Sequence, residues 1–343
     1  MILTILIFLL ILLVLVLSHE FGHFLFAKLA GVKVEEFAFG FPPRIFSVTK
    51  GETKYSFNLL PLGGFVKIQG EEGEDSYDPR SFSAQKFLTK VLIIAAGVGF
   101  NFVLAYILFT SGFILGAPVP LEDNDSNPSA EIRITEVQDN SPAQIAGILP
   151  GDKLLSLRAD GGETLNASKI SEVQDFISEH KGEKIYVTFE RFGNLLSAEA
   201  KIRAQIKEGE GALGIAMIRT GIEKAGFFES IKKGFFSTVN LTRLTAGALW
   251  GFFSNIFTGG ASFEGVSGPV GIVNIVGDFS RFGLVYLIQL TALLSINLAL
   301  INIIPFPGLD GGRVFIIAIE KIKGSPFHWK FTRAFHAAGF ALL

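Results

Sequence analysis

Cysteine is absent from the 343-residue chain. That excludes disulfides and every thiolate metal site, so any metal must be held by His, Asp or Glu. Basic charge is not in excess either: 30 Lys and Arg stand against 32 Asp and Glu, for a net charge of -2. With no basic block, nucleic acid is excluded as a partner. What is abundant is apolar. The chain is 49% hydrophobic with 35 Phe, and its mean hydropathy is +0.46. Soluble domains seldom average a positive hydropathy, so composition points to a membrane protein.

Charge is missing altogether from the first stretch. Met1 to Leu17 is apolar except for Thr4, and the pattern runs on through Phe26. About 20 apolar residues span a bilayer. The rival reading, a cleaved signal peptide, lacks both a basic start and a small-x-small cleavage site. A second span is expected over 91–118, "VLIIAAGVGFNFVLAYILFTSGFILGAP", interrupted by Asn101. A third is expected over 284–304, "LVYLIQLTALLSINLALINII". Phe331 to Leu343 is apolar but too short to cross, and is expected to open a fourth span cut off by the chain's end.

The segments between the spans have their own patterns. "RIFSVTKGETKYSFNLLPLGGFVKI" alternates, with Tyr55, Phe57 and Leu59 on one face, Ser56 and Asn58 on the other, and a turn at Lys50-Gly51. It reads as a β-hairpin. Residues 120–222 have soluble character: strand, short helix, Pro-Gly turn and strand, then the amphipathic "SKISEVQDFISEH" and the strand "KIYVTFERFG". This is a small α+β unit with its own core pattern. From Phe227 to Phe257, Phe228, Ile231, Phe235, Thr242, Ala246, Leu249 and Phe253 recur at helical spacing, with Lys232, Lys233, Asn240 and Arg243 between them. An amphipathic helix lying in the membrane interface is favoured over a further span.

The expected domains are therefore 1–118, the first half of a membrane core; 120–222, the α+β unit; 223–280, amphipathic helix and connection; and 281–343, the second half of the core. Lys28, Lys33, Arg44, Lys86 and Lys90 in the first loop, and Lys321, Lys323, Lys330 and Arg333 after the third span, place both loops in the cytoplasm. The 120–222 unit then lies outside the cytosol.

"LSHEFGHFLF" raises the chemical question. An ionisable side chain at the middle of a spanning helix costs roughly 2.5–3.5 kcal/mol. His19 and His23 stand at i and i+4, on one helix face, so both imidazoles can reach one metal ion, and Glu20 beside them can hold a water. This is the H-E-x-x-H arrangement of a zinc hydrolase. A polar helix contact or a proton relay is the bland alternative. A catalytic zinc wants a third protein ligand. No His stands at position 29, Glu35 and Glu36 are conceivable, and Asp310 in "NIIPFPGLDGGRVF" is the conspicuous candidate, with an ordinary helix N-cap as its alternative.

"HEFGH", "LPLGGFVKIQGE", "SGPVGI" and "INLALINIIPFPGLDGGRVFIIAIEKIKG" together resemble the site-2 protease family, in its bacterial branch, over nearly the whole chain. The resemblance implies a polytopic α-helical intramembrane zinc metalloprotease of the bacterial inner membrane, active site near the cytoplasmic side. Its substrates would be single-span membrane proteins, such as anti-sigma factors or remnant signal peptides. One Zn2+ per chain would be held by His19, His23 and Asp310, with Glu20 as general acid/base. Asn302, eight residues before the aspartate, and Pro305 match positions implicated in substrate handling. The hairpin matches a membrane-associated loop that pairs with an unwound substrate strand, which points to Tyr55, Phe57, Asn58 and Leu59; a simple lipid anchor is the alternative. Residues 120–222 resemble a PDZ domain, with "GALGI", Gly211, Leu213, Gly214 and Ile215 included, as its loop for peptide C-termini; a structural spacer is the alternative. Two departures stand out: one PDZ domain where some bacterial members carry two, and Gly97-Val98-x-x-Asn101 where Gly-Pro-x-x-Asn is frequent.

Two other function classes compete. A silent scaffold that keeps zinc would not need Glu20. A metal or proton transporter would need ionisable partners in the other spans, which offer only Asn101, Gln289 and Asn297.

Overall fold

The computed structural model describes residues 2–71, 78–191, 193–206, 210–258, 268–325 and 327–342. In chain order the elements begin α1 (Ile2–Leu29), β1 (Val34–Lys50), β2 (Thr53–Ile68), α2 (Phe87–Leu115) and β3 (Ala117–Pro120). They continue β4 (Glu131–Val137), α3 (Pro142–Ile145), β5 (Lys153–Ala159), β6 (Thr164–Asn166), α4 (Ile170–Glu179), β7 (Lys184–Arg191), β8 (Asn194–Lys201) and β9 (Ile215–Glu223). Five helices close the chain: α5 (Phe227–Thr258), α6 (Pro269–Phe282), α7 (Leu284–Ile303), α8 (Asp310–Lys323) and α9 (Trp329–Leu342).

Among the described residues three helices, α1, α2 and α7, are long and apolar enough to cross a membrane. The second starts at Phe87 rather than 91 and stops at Leu115 rather than 118. It stops because Gly116 takes a positive φ of 106°, a conformation open to glycine and unfavourable for a continuing helix. The Phe227–Phe257 pattern is one unbroken helix, α5. Part of the "SGPVGI" motif, Ser267, lies outside the described residues.

The chain divides into two compact units. The first comprises Met1–Ser111, Phe228–Val273 and Ile288–Leu343. Its helices meet through small residues, as lipid-embedded helices must when no water drives them together. A Cβ on Gly22 of α1 would overlap the Ala96 carbonyl of α2, and one on Gly234 of α5 would overlap Thr110. Ala105 and Phe109 of α2 pack with Ala292 and Ile296 of α7, with Leu241 of α5 alongside. Hydroxyls bond across the helices: half-buried Ser18 Oγ donates to Phe100 O at 3.2 Å, and buried Ser295 Oγ to Asn101 O at 2.8 Å.

The hairpin is larger than its sequence pattern suggests, and it folds over on itself. Gly51 and Glu52 make its turn, between the paired Lys50 and Thr53, one residue later than Lys50-Gly51. Gly40 and Pro42-Pro43 interrupt β1, and Pro61 and Gly63 interrupt β2. Phe37 consequently pairs with both Val66 and Tyr55, and Phe39 with both Gly64 and Phe57, while Phe46 also pairs with Phe57. The result is effectively four short antiparallel ribbons in the order 64–68, 34–39, 54–57, 44–50. The alternation in 55–59 is real but reversed relative to a water-soluble sheet. Ser56 and Asn58 are buried, and Tyr55 and Leu59 are exposed. Thr53 Oγ1 donates inward to Val34 O at 2.8 Å, and Asn58 Nδ2 to Gly40 O at 2.9 Å. An apolar outer face is what a sheet beside a membrane span should present.

The second unit comprises Gly112–Phe227 and Asn274–Leu287. Seven strands form one sheet in the order β3-β9-β4-β5-β7-β8, with β6 on β5. Ile132, Leu154, Leu157, Val173, Phe176, Ile185 and Val187 fill its core between sheet and α4. Asp152, almost wholly buried, accepts two 2.7 Å bonds from Arg191 and one from Leu149 N, so its charge is fully partnered.

Candidate metal centre

Helix periodicity does the first part of the assembly. His19 and His23 fall one turn apart in the last third of α1, both buried, with ring centroids 4.7 Å apart and planes at 87°. The third side chain of the cluster comes from far along the chain. After α7 the chain turns back through "PFPGL" and enters α8 at Asp310. Gly311 and Gly312 make that turn possible: a Cβ on Gly311 would strike the Ile303 and Ile304 carbonyls, and one on Gly312 the Phe306 carbonyl. The double glycine therefore lets the loop lie directly on the first turn of α8.

Asp310 is not an N-cap. Leu309 occupies that position, with no side-chain cap bond. Asp310 Oδ2 points instead at the histidines, 3.0 Å from His19 Nε2 and 3.3 Å from His23 Nε2. The two Nε2 atoms are 3.1 Å apart. Oδ2 is buried and makes no hydrogen bond of acceptable geometry. Three such ligand-type atoms around one point form a set that could hold a metal ion. Tetrahedral zinc with bonds of about 2.0–2.1 Å has ligand–ligand edges of about 3.3–3.4 Å. The observed triangle is close to that, so the three side chains fit a zinc ion. Among the described residues this is the one cluster of His, Asp and Glu with such geometry.

Groups behind the histidines orient them. His23 Nδ1 lies 2.9 Å from Ile93 O, and a carbonyl only accepts, so the proton is on Nδ1 and the Nε2 lone pair is free. His19 Nδ1 faces the side-chain amide of buried Asn101 at 3.4 Å. Gly97 of α2 lies flat against both rings, where a Cβ would come within 2.8 Å of His19 Cε1 and nearer still to His23. Glu20 is within electrostatic reach of His19, His23 and Asp310. Its Oε2 accepts the backbone N–H of Val66 at 3.0 Å, which fixes the carboxylate against the 64–68 ribbon. One turn beyond Asp310, Arg313 pairs with Glu71 just past β2.

The other candidates lie elsewhere. Glu35 pairs with Lys67 at 2.7 Å and Glu36 with Arg44 at 2.8 Å, so both serve the sheet. Asn302 sits half-buried in the last turn of α7 and Pro305 is exposed in the return loop. Of Tyr55, Phe57, Asn58 and Leu59, expected to form a docking strand, Tyr55 and Phe57 need a correction. Residues 54–57 are paired on both sides, so their backbone is not available to a further strand. Among the described residues, the edges of this sheet with no further strand beside them are 64–68 and 44–50. Gly211–Ile215 belongs to the second unit, where Leu213 is buried and Gly214, at φ 78°, packs on Ser141.

Gly97, Val66, Glu71 and Arg313 all lie within the motifs quoted above, but nothing in the sequence assigns any of them a role at the centre. Asn101 was visible as a polar interruption in an apolar span, a signal for an inward-facing functional group.

Comparison with known proteins gives a consistent result. The profile of peptidase family M50 matches residues 7–343. A Clostridium perfringens protein, provisionally named a zinc metalloprotease, is 37% identical over 333 residues, covering 96% of this chain and 91% of the relative. A similarly named Clostridium acetobutylicum protein is 32% identical, with 96% and 91% covered. Zinc metalloprotease RasP of Geobacillus kaustophilus is 30% identical over 408 residues, covering 96% and 92%.

Proposed function

Since the chain belongs to peptidase family M50, the site-2 proteases, and is a zinc metalloprotease, we propose that it cuts single-span membrane proteins within the bilayer, in regulated intramembrane proteolysis. His19, His23 and Asp310 are its zinc ligands and Glu20 its general acid/base. The observation that carries this reading is the triangle of Nε2, Nε2 and Oδ2 atoms built at the end of an apolar span, beside a carboxylate. Zinc bound there supplies a Lewis acid and an acidified water at neutral pH.

The rest is done by the chain. Glu20 takes the proton of the attacking water and returns it to the leaving amine. The Val66 N–H holds one carboxylate oxygen, leaving the other to face the reaction. Asn302, one helix turn before the return loop, donates to the developing oxyanion, and Pro305 lines the approach. A substrate helix has its carbonyls tied in i to i−4 bonds and must unwind first. The 64–68 ribbon stabilises the unwound segment by strand addition, because it is the free edge that touches Glu20. The exposed Tyr55 and Leu59 lie against lipid or substrate side chains.

Residues 120–222 serve as a PDZ domain outside the cytosol, on a protein of the inner membrane. Two features support this. β9 follows the Gly211–Ile215 loop, has β4 along one side, and is covered by β3 on the other only from Thr220 onward. Its first residues thus keep a free side, with α4 packed against the strand. Peptide C-termini fit such a slot by β-addition. The segments 1–118 and 281–343 form the two halves of the protease core, and 223–280 joins them to the PDZ domain.

The decisive experiment is cleavage of a single-span reporter by the purified full-length chain, wild type against Glu20→Gln. Equal cleavage by both would end this reading.

A further inference from the structure

Asn101 has no part in the mechanism above, yet it is wholly buried among the three spans. Its amide nitrogen lies 3.4 Å from His19 Nδ1, and its Oδ1 is buried with no partner. The two ends of an amide have the same shape, so the hydrogen-bond network decides which end points where. If the NH2 faced His19, Nδ1 would be the acceptor and the ring proton would sit on Nε2. That proton would point into the triangle shared with His23 Nε2 and Asp310 Oδ2. If Oδ1 faces His19, it accepts the Nδ1–H, and Nε2 turns a lone pair to the triangle. His23 already has that arrangement, set by Ile93 O.

We propose that Asn101 is a positioning residue for His19: its side-chain carbonyl accepts the Nδ1–H and fixes the tautomer in which Nε2 can bind a metal. Ser295 belongs to the same device. Its hydroxyl donates to the backbone carbonyl of Asn101 and ties that turn of α2 to α7. A chain of buried polar contacts thus runs from α7 through α2 to the His19 ring of α1. Such partners behind metal ligands typically account for about 10–100-fold in metal affinity.

The inference rests on His19 being a ligand, and the test separates the two. Zinc affinity is measured by chelator competition on full-length protein in detergent, for the parent, Asn101→Leu, Asn101→Asp and His19→Ala. Asn101→Leu, similar in size but without polar ends, should weaken zinc about 10–100-fold. Asn101→Asp offers only acceptor oxygens to Nδ1 and should recover most of that loss. Zinc held as tightly by Asn101→Leu as by the parent would overturn the proposal, and so would Asp as weak as Leu. Because Leu could perturb the packing, the 15N spectrum of histidine-labelled zinc-free parent gives a second readout, with His19 assigned against His19→Ala. Protonation of His19 at Nδ1 is expected, and protonation at Nε2 would overturn the proposal. Full zinc retention by His19→Ala would instead remove the ligand assignment itself.

Discussion

The backbone N–H of Val66 donates to Glu20 Oε2 at 3.0 Å. One hydrogen bond thus joins the only acidic residue of the first span to the outer ribbon of a sheet forty-six positions away. It aims the carboxylate and leaves it little rotational freedom, which a general base needs.

Glu20→Gln should therefore keep zinc and lose cleavage by about 10²–10⁴-fold. Gln has the same length and can still accept from Val66 N–H, so folding is preserved. Zinc content and turnover are to be read on one preparation. Turnover near the parent value would take Glu20 out of the mechanism.

Asp310→Ala should lower bound zinc as far as His19→Ala does. The aspartate contributes an orphaned oxygen to the triangle, not a helix cap, so its removal should leave α8 intact. Metal analysis with circular dichroism checks both halves. Unchanged zinc alongside helix loss would restore the capping role.

Gly97→Ala should reduce zinc binding although it adds only a methyl group. That Cβ would overlap the His23 ring, and α1 and α2 already lie close here, since a Cβ on Gly22 would come within 2.9 Å of Gly97 Cα. Gly99 is exposed with open space around it, and Gly99→Ala serves as the control. Equal zinc content in the two variants would show that the rings can move aside freely.

Much of the centre could be read from the sequence because it depends on periodicity. His19 and His23 share a face whatever surrounds them, and polar residues inside an apolar run mark themselves. Asp310 was conspicuous through its glycines, whose steric reason is visible once the Ile303 and Phe306 carbonyls are seen against them. The sheet was less legible. Alternation identified strands near 55–59 but not the second pairing partner, because Gly40, Pro42-Pro43, Pro61 and Gly63 double the hairpin over and pairing of this kind is non-local. The orientation of the alternation also inverted, since beside a membrane span the apolar face turns outward. In the second unit, β6, β8 and β9 left no separate signal: β6 is three residues long, and the apolar residues of β8 and β9 do not alternate strictly, Ile215 to Ile218 being a continuous run.

Asp123 should stabilise α4 from a distance. Its carboxylate accepts the N–H groups of Ile170 and Ser171, while the N-cap residue Lys169 makes no side-chain cap. Those N–H donors hold its pKa below the usual carboxylate value. A lowered folded pKa means that the contribution is full above the ordinary value and is lost as the pH falls through the folded one. Asp123→Ala should cost about 0.5–1 kcal/mol, as for a partly exposed cap. Hydrogen exchange of the α4 segment at neutral pH should quicken accordingly, with the difference from wild type vanishing in strong acid. A difference that persists in strong acid would mean that the charge is not what caps the helix.

The last expectation concerns how substrate is held. If the 64–68 ribbon adds a substrate strand, alternate backbone groups of that strand face the ribbon and the others face away. Val66 N–H is taken by Glu20 rather than by Phe37, so Val66 and Gly64 are the residues whose backbone groups point outward. Synthetic single-span substrates carrying one ester in place of one amide lose one N–H each without changing a side chain. Moving the ester along the residues next to the cut should depress cleavage at every second position. The same scan in a substrate already weakened by helix-breaking Gly should keep the alternation, because strand contacts are still made, while raising all rates. Losses of equal size at consecutive positions, or none, would mean that the sheet holds the fold and Glu20 in place without pairing with substrate.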